Sequence, residues 1–348
     1  MKYAFNGRFL TKKMTGQERY AFELISHLDK ICEKGEFCVV TSELVKDLPK
    51  WENIEIIQTG RLKREAWEQF CLGPYLRKHH LKCVNLTTTF PLFHADVVCL
   101  HDAMIFEIGR MFMGSLYGIV GLLWKRFLFR VAKLTASKIL TVSNYSRCKL
   151  NEILDIPKEK IYVVYNAWQH FKDVEADCKV FQRLPNNIHQ GQYFFSLSSL
   201  TPQKNFIWIM EVAKKNPNLQ FVVTGKAEGF TKLWEEQISG NLHFTGYLTD
   251  GEIKALMTGC RAFIHPAIYE GFGITPLEAL SCGAELIVSN ATCLPEIYEN
   301  SAHYIDPYNY DVDLECLLSG TTSAASDVLG KYNWEREAEK LLEILRKD

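Results

Sequence analysis

Two glutamates, Glu270 and Glu278, stand eight residues apart around a glycine-containing stretch that follows an apolar strand candidate, residues 262–264. Between them, Thr275 and Pro276 are typical of the cap and first position of a helix, and Thr275 to Glu278 has the spacing of a capping box. Such a loop directs free backbone N–H groups and the positive end of a helix dipole to one point. The segment therefore predicts an anion site flanked by two carboxylates.

The ligand class follows from the motifs that are missing. No Gly-x-Gly-x-x-Gly follows the first strand, no P-loop motif occurs, and no carboxylate cage for a metal is present. What remains is a diphosphate held by backbone N–H groups and a lysine, with carboxylates accepting hydrogen bonds from hydroxyls. Lys204 follows a loop rich in Ser, Thr and Pro. A cation there would stabilise a departing diphosphate, so the pattern favours a nucleotide sugar.

Short apolar strands and amphipathic helices alternate along the chain in two series, which predicts an α/β fold with mostly parallel, doubly wound sheets. We expect a Rossmann-like domain over residues 1–170, a polar linker over 171–192 and a second Rossmann-like domain over 193–330. A final helix, 331–348, is expected to pack back toward the first domain. In such sheets ligands lie beyond the carboxyl ends of strands, and a cleft between domains is a favoured site.

Composition is that of a soluble two-domain protein: 348 residues, 47% hydrophobic and 23% charged. Residues 1–170 contain 25 Lys and Arg against 17 Asp and Glu, a balance of +8, whereas the remainder carries −9. A basic first half suggests an anionic partner, such as a phosphorylated lipid or an acidic membrane surface. A chance split of solvated charges explains the same numbers, and both explanations stay open.

Eleven scattered cysteines without a Cys-x-x-Cys motif indicate reduced thiols in the cytoplasm, and the first residues do not resemble a signal peptide.

The most apolar run is too short to span a membrane. The helix predicted over residues 113–135 mixes apolar and basic residues, so it either lies on a membrane surface or is an ordinary packed helix with a solvated basic end. The expected location is the cytoplasm, with contact at the inner face of the cell membrane compatible with either explanation.

The stretch from Glu270 to Glu278, within residues 262–283, resembles the signature of retaining family 4 glycosyltransferases of the GT-B fold. Other segments resemble that family's motifs in the same order along nearly the whole chain. These segments are residues 15–21, 101–102, 141–146, 163–166, 201–205, 246–250 and 289–296. The chain is most similar to enzymes that build bacterial surface polysaccharides, such as O-antigen or capsule.

The resemblance implies two Rossmann-like domains facing each other across a cleft, with the acceptor on the side of the first. It implies transfer of a hexose, with retained configuration, from a nucleoside-diphosphate sugar to a lipid-linked or saccharide acceptor. No cofactor, metal or nucleic acid is expected. The alternative is a non-catalytic subunit that binds nucleotide sugar and stabilises an active transferase. A sugar-nucleotide epimerase is disfavoured by the match around the two glutamates.

The resemblance also implies residue roles. The catalytic set would be Glu270, which orients the donor sugar, His101, which approaches that sugar, and Lys204, which contacts the diphosphate. Glu278 would accept hydrogen bonds from the ribose, and Gly16 would let the backbone approach the diphosphate. Each has a structural alternative, since Glu278 would serve the capping box, a lone histidine is usually structural, and Lys204 would be an ordinary loop lysine.

The rest of the implied donor site is mostly backbone. N–H groups of Phe272, Gly273 and Ile274 would hold the diphosphate, and Leu248 would line the base pocket. One position departs from the family pattern, because Ser199 stands where many members have an arginine that contacts the leaving group. Lys226 is one candidate for the missing positive charge, and a backbone contact is another. Weaker stabilisation of the leaving group, with lower activity, is the third alternative.

Overall fold

Short parallel strands joined by helices build the chain, as seen in a computed structural model that describes residues 2–113, 116–197, 201–224 and 238–347. The chain divides into two units, one formed by Met1–Asn166 with Asn333–Asp348 and the other by Ala167–Tyr332. Each unit has one parallel sheet, which confirms the predicted α/β fold with two Rossmann-like units.

The sheet of the first unit has seven strands in the described part of the chain, in the order β3-β2-β1-β4-β5-β6-β7. The chain reverses its direction of travel across the sheet between β1 and β4, which is where doubly wound folds bind ligands. The strands are β1 Tyr3–Asn6, β2 Phe37–Thr41, β3 Glu55–Gln58, β4 Lys82–Asn85, β5 Val97–Cys99, β6 Lys138–Thr141 and β7 Ile161–Val163.

Helices connect these strands. The α-helices of the first unit are Gly16–Leu28, Arg64–Trp67, Gly73–Lys78, Met104–Glu107, Leu116–Thr135, Asn144–Leu154 and Trp334–Arg346. A π-helical turn and three 3-10 helices complete it: Glu68–Leu72, then Gly7–Thr11, Gly109–Phe112 and Lys158–Lys160. Within the described residues, no helix combines the length and the apolar character needed to span a bilayer.

The sheet of the second unit repeats this plan with six described strands in the order β10-β9-β8-β11-β12-β13. Its reversal point lies between β8 and β11, which pair in parallel. The strands are β8 Tyr193–Leu197, β9 Gln220–Thr224, β10 Leu242–Phe244, β11 Ala262–His265, β12 Glu285–Ser289 and β13 His303–Ile305.

The α-helices described in the second unit are Phe206–Lys215, Asp250–Gly259, Ile274–Ser281, Leu294–Tyr298, Leu314–Leu318 and Ala325–Leu329. Its 3-10 helices are Gln169–Phe171, Cys178–Arg183 and Pro202–Lys204. Residues 171–192, predicted to be a linker, lie in this unit. The Asp250–Gly259 helix begins with a capping box formed by Thr249 and Glu252.

The strands form because their apolar residues are buried on both faces of the sheets. Every residue of β1, β2 and β11 is buried, as expected for central parallel strands. The last helix, Trp334–Arg346, packs in the first unit against the Gly16–Leu28 helix, with the rings of Tyr20 and Trp334 6.2 Å apart. It is amphipathic, and Asn333 caps it by accepting a hydrogen bond from the Glu335 backbone at 2.8 Å.

Candidate functional site

The helix after β11 begins earlier than the sequence predicted. Gly273 is its N-cap and Ile274 its first residue, and no side chain caps it within the described residues. The prediction that Thr275 caps this helix with Glu278 in a capping box is therefore wrong. Gly273 has φ +82°, and a Cβ there would lie 2.8 Å from the Leu294 side chain, so both backbone conformation and space require glycine. The loop can thus turn sharply and leave the helix start open.

Glu270 lies in the loop between β11 and this helix. Its Oε1 accepts hydrogen bonds from the Lys204 ammonium and from Nε2 of His265, the latter at 2.8 Å. Its backbone is held on both sides, by Thr292 Oγ1 at 3.2 Å and by Cys293 Sγ at 3.3 Å. The side chain is only 15% exposed. Within the described residues Oε2 has no hydrogen-bond partner, so this oxygen is available to a ligand.

Lys204 reaches Glu270 because β8 and β11 are neighbours in the sheet. Lys204 ends the 3-10 helix Pro202–Lys204, and Asn205 follows in a left-handed conformation with φ +55°. The buried Asn205 amide donates to the carbonyls of Pro266 and Pro307 at 3.1 and 2.8 Å. These bonds fasten the loop that bears Lys204 to the loop that bears Glu270.

The charge state of this cluster follows from burial and contacts. Burial alone would raise the pKa of Glu270, but the Lys204 charge and the hydrogen bonds from His265 and Lys204 lower it to about 2. Burial lowers the pKa of His265, against the opposing effect of Glu270. At neutral pH the cluster is therefore a carboxylate and an ammonium, with a neutral imidazole that donates its Nε2–H.

Glu278 lies in the helix, not at its cap, and has a different partner. Its Oε1 contacts Nε2 of His170 at 2.8 Å, and both side chains are largely buried. Within the described chain, Glu278 Oε2 has no hydrogen-bond partner. The two glutamates thus share one arrangement, in which one carboxylate oxygen is held by a histidine and the other remains available.

Two of the remaining predicted donor residues of this unit, Phe272 and Leu248, lie in described segments that follow β11 and β10. Phe272 is buried with its ring 5.2 Å from that of Tyr332, which fixes the backbone of the loop. Leu248 is half-buried, between β10 and the Asp250–Gly259 helix. Ser199 and Lys226 lie outside the described residues.

His101 and Gly16 belong to the first unit. His101 follows β5, is buried, and donates Nε2–H to the Leu86 carbonyl at 2.9 Å. Burial lowers its pKa to about 4, against the effects of the Leu86 bond and Glu18. Gly16 is exposed at the first position of its helix, and a Cβ there would meet no described atom within 4 Å. The predicted contacts of both residues with a donor remain predictions.

Two histidines that hold the glutamates were not among the sequence-predicted residues. His265 ends β11 five residues before Glu270, so its position in the motif was a usable signal. His170 is 108 residues from Glu278, and no local pattern connects them. Asn205 was also missed, although Asn is among the residues that tolerate a left-handed conformation.

The arrangement suits a ligand that is anionic at one end and rich in hydroxyls at the other. Lys204 and the open helix start supply positive charge, and two anchored carboxylates can accept hydrogen bonds. Among the described residues, no group of three or more His, Cys, Asp or Glu side chains is placed to hold a metal ion.

Comparisons with known proteins bear on the family and the fold of the chain. The family described as Glycosyl transferases group 1 matches residues 179–312. O-antigen chain mannosyltransferase B of Escherichia coli is 26% identical over 194 residues, which cover 51% of this chain and 49% of that protein. O-antigen chain mannosyltransferase RfbU of Salmonella typhimurium is 24% identical over 320 residues, 86% of this chain and 85% of RfbU. The match thus spans about half of the first relative and most of the second.

The crystal structure of Anabaena Alr3699/HepE in complex with UDP and glucose superposes with a TM-score of 0.72 at 17% identity, covering 99% of both chains. That likeness shows the fold, which is GT-B. Residues 179–312 thus match the group 1 glycosyltransferase family, within a chain that has the GT-B fold.

Proposed function

We propose that this protein is a retaining glycosyltransferase that moves a hexose from a nucleoside-diphosphate sugar to an acceptor hydroxyl. The observation that carries the proposal is the cluster of Lys204, His265 and Glu270 at the reversal point of the second sheet. A cation, an anchored carboxylate and an open helix start meet there, as a sugar linked to a diphosphate requires.

Glu270 is assigned to the sugar. Its low pKa keeps it ionised throughout the physiological range, so it acts as a hydrogen-bond acceptor and not as a proton donor. The Lys204 and His265 contacts hold Oε1, which directs Oε2 toward sugar hydroxyls. His265 is thus a positioning residue, since it acts through Glu270.

Glu278 is assigned to the ribose. It follows the helix start that would hold the diphosphate, and His170 anchors one of its oxygens as His265 anchors that of Glu270. A carboxylate that accepts from two neighbouring hydroxyls distinguishes a ribose from a deoxyribose.

The diphosphate is assigned to Lys204 and to the helix that begins at Ile274. In the reaction, the bond between the sugar C1 and the diphosphate oxygen breaks, and the acceptor oxygen forms its bond to C1 on the same face. The acceptor proton passes to the departing phosphate oxygen. Lys204 and the helix N-terminus stabilise the charge that develops on that oxygen, so the reaction is proposed to proceed without a metal ion.

The acceptor is proposed to be a lipid-linked or free saccharide in bacterial surface polysaccharide synthesis, with O-antigen the first case to test. Two relatives are named O-antigen mannosyltransferases, and a structural neighbour holds UDP and glucose. GDP-mannose and UDP-glucose are therefore the first donors to test.

Replacing Glu270 with Gln tests the assignment while keeping the shape of the side chain. We expect transfer from the donor to be abolished while binding of the nucleoside diphosphate persists. Glu211→Gln is the control, because Glu211 is a surface residue paired with Lys214 in the same unit. Full transfer by the Glu270→Gln protein would contradict the proposed role.

A non-catalytic partner subunit is the alternative outcome. Such a protein would bind a nucleotide sugar and raise the activity of another transferase, but would neither transfer nor hydrolyse the sugar by itself. Purified chain with GDP-mannose, UDP-glucose and saccharide acceptors separates the two, because only an enzyme releases nucleoside diphosphate.

We further propose that the first unit contacts the inner face of the cell membrane from the cytoplasm. The Leu116–Thr135 helix exposes an apolar row formed by Leu116, Val120, Leu123, Phe127 and Leu134. Residues 108–151 contain eight Lys or Arg and no Asp or Glu. An apolar face within a basic segment matches an anionic bilayer surface. The described cysteines are all free thiols, in agreement with a reducing compartment.

Vesicle sedimentation tests this contact. We expect binding to vesicles containing anionic phospholipid, weaker binding to zwitterionic vesicles, and loss of binding when Leu116 and Leu123 are both replaced with Ser. Tyr308→Ser, which removes an exposed aromatic ring from the other unit, should leave binding unchanged. Equal binding by the double variant and the unmodified protein would contradict the proposal.

A further inference from the structure

A cavity of about 780 Å³ opens in the first unit, next to the carboxyl ends of β1, β2 and β3. Its walls come from three segments that follow these strands, at residues 8–12, 42–47 and 62–67. All three segments belong to one unit, so the cavity is complete within it. None of the residues predicted for the donor site lines it.

Cations predominate in its lining. Five basic residues face two acidic ones, Asp47 and Glu65, and the basic residues are Arg8, Lys12, Lys46, Lys63 and Arg64. Arg8 pairs with Glu65 and Glu68, and Lys12 with Glu18. In the part of the chain that the structure describes, no carboxylate lies within 4 Å of the charged groups of Lys46, Lys63 or Arg64. These three cations can therefore bind an anion without breaking an existing ion pair.

Arg8 is a buried cation in the lining of the cavity. It is only 5% exposed, and its guanidinium lies 2.6 Å from Glu65 and 2.5 Å from Glu68. The Glu68 carboxylate also accepts hydrogen bonds from Asn6 and Thr89, at 2.9 and 2.8 Å. The buried Nε of Arg8 has no hydrogen-bond partner among the described residues. A guanidinium fixed in this way is already oriented when a ligand arrives.

The backbone of the third segment is constrained at two points. Gly60 has φ +67°, and a Cβ there would lie 2.3 Å from the Cys71 sulfur, so only glycine fits. Arg64 also has a positive φ, +55°, although it is not glycine. Residues held in such unfavourable conformations concentrate at ligand sites. The positive φ at Arg64 thus constrains the backbone that bears one of the three cations.

Apolar residues from all three segments also line the cavity. Leu10, Leu44, Val45, Leu62 and Trp67 contribute to the lining, and Leu44 and Leu62 are about half exposed. A free saccharide phosphate would make no apolar contacts with the exposed leucines. An uncharged lipid would form no ion pairs with the three unpaired cations. The combination fits an anionic group that is attached to a hydrocarbon chain.

We propose that this cavity binds the phosphate or diphosphate of a lipid-linked acceptor. The phosphate oxygens contact Lys63, Arg64 and the guanidinium of Arg8, and the first part of the hydrocarbon chain lies along Leu44 and Leu62. The inference deepens the proposed function, on which it rests, by choosing the lipid-linked acceptor over the free saccharide.

Binding of short polyprenyl phosphates to the full chain tests the proposal. Farnesyl phosphate and farnesyl diphosphate would be titrated by calorimetry, with farnesol and inorganic phosphate as the two separate halves of the ligand. We expect the farnesyl phosphates to bind at least tenfold more tightly than either half. The Lys63→Gln/Arg64→Gln double variant should lose at least tenfold in affinity. Lys78→Gln, which removes an exposed lysine near the opposite edge of the sheet, should bind normally.

Three outcomes would overturn the proposal: equal binding by the double variant, equal binding of farnesol, or equal binding of inorganic phosphate, which would indicate a site for free phosphate. The Glu270→Gln protein should retain farnesyl phosphate binding, because that residue lies in the other unit. If the unmodified chain binds farnesyl phosphate but transfers no sugar, the proposed function fails and the cavity assignment stands. If it transfers sugar to free saccharides without binding farnesyl phosphate, the cavity assignment fails and the proposed function stands.

Discussion

The carboxyl edges of the two sheets carry charge in opposite ways. In the second unit, Lys204 and Glu270 neutralise each other and His265 supports the pair. In the first unit, the charged groups of Lys63 and Arg64 stand beside a cavity with no described carboxylate within 4 Å. The two units thus share a Rossmann-like fold but differ at this edge. In the second unit the charged groups are already paired before a ligand binds, whereas in the first unit the positive charge is not balanced. Under the proposed function, the difference corresponds to a shaped donor site in one unit and an electrostatic site for an anion in the other.

Removing Arg8 tests the buried part of the first edge and should have the largest effect on stability. Arg8→Met leaves Glu68 buried without its cation, and we expect the free energy of unfolding to fall by about 3–5 kcal/mol. Denaturant unfolding measures the change. The matched control is Arg61→Met, because Arg61 and Glu43 form an exposed pair worth about 0–1 kcal/mol. Adding Glu68→Gln to Arg8→Met should recover part of the loss, and a loss no larger than that of the control would contradict the assigned role.

Removing Lys204 tests the second edge. We expect Lys204→Met to lower the rate of sugar transfer about 100- to 1000-fold, because one preorganised charge on the leaving group is lost. The rate at saturating donor measures this. Lys214→Met, a substitution of a surface lysine in the same unit, should leave the rate unchanged. A reduction of less than about threefold would indicate that Lys204 only stabilises Glu270 and does not contact the diphosphate.

The two edges should also differ in their response to acid. His101 has a pKa of about 4 when folded and 6.5 ordinarily, so the unfolded chain binds more protons between these values. Its contribution to stability is complete above pH 6.5 and is lost toward pH 4. Glu270, lowered from 4.5 to about 2, contributes fully above pH 4.5 and loses that contribution toward pH 2.

Unfolding free energies between pH 7 and 4 measure the His101 window. We expect the decline to be shallower by up to about 3 kcal/mol in His101→Gln, since each pH unit of difference corresponds to about 1.4 kcal/mol. Glu270→Gln should change the slope below pH 4.5, where Glu270 titrates, and also at higher pH, because it removes the carboxylate that raises the pKa of His265. His265 is present in both His101→Gln and the unmodified protein, so its effect cancels in that comparison. Parallel curves for His101→Gln and the unmodified protein would show that His101 is not buried in neutral form.

The smallest effect on stability is expected at Gly16. Because nothing described lies within 4 Å of the position of its missing Cβ, Gly16→Ala should leave stability unchanged or raise it by up to about 1 kcal/mol. Transfer should nevertheless decrease if a diphosphate approaches this backbone, as the sequence motif predicts. Gly121→Ala is the matched control, since it is a helical glycine in equally open space. Normal transfer by Gly16→Ala would remove Gly16 from the donor site.

Much of the architecture was predictable from local patterns. The apolar run of β11 appears where the strand pattern predicted it, and strands alternate with helices in both units as expected, because burial and helix periodicity act over a few residues. The helix after Glu270 was predicted with the wrong cap. Thr275 has the right chemistry for an N-cap, but Gly273 can adopt a left-handed conformation packed against Leu294, and tertiary packing decided the helix start.

The amino-acid sequence by itself determined which groups are present: a strand–loop–helix segment with two glutamates, a lysine after another strand, and a basic first half. Only the tertiary structure decided their partners. His170 holds Glu278 across 108 residues of sequence, and Lys204 holds Glu270 because β8 and β11 are adjacent. Strand order likewise assembles a cavity from three separate loops. Hydrogen bonds and ion pairs act over a few ångströms, so residues distant in sequence interact only when the fold brings them together.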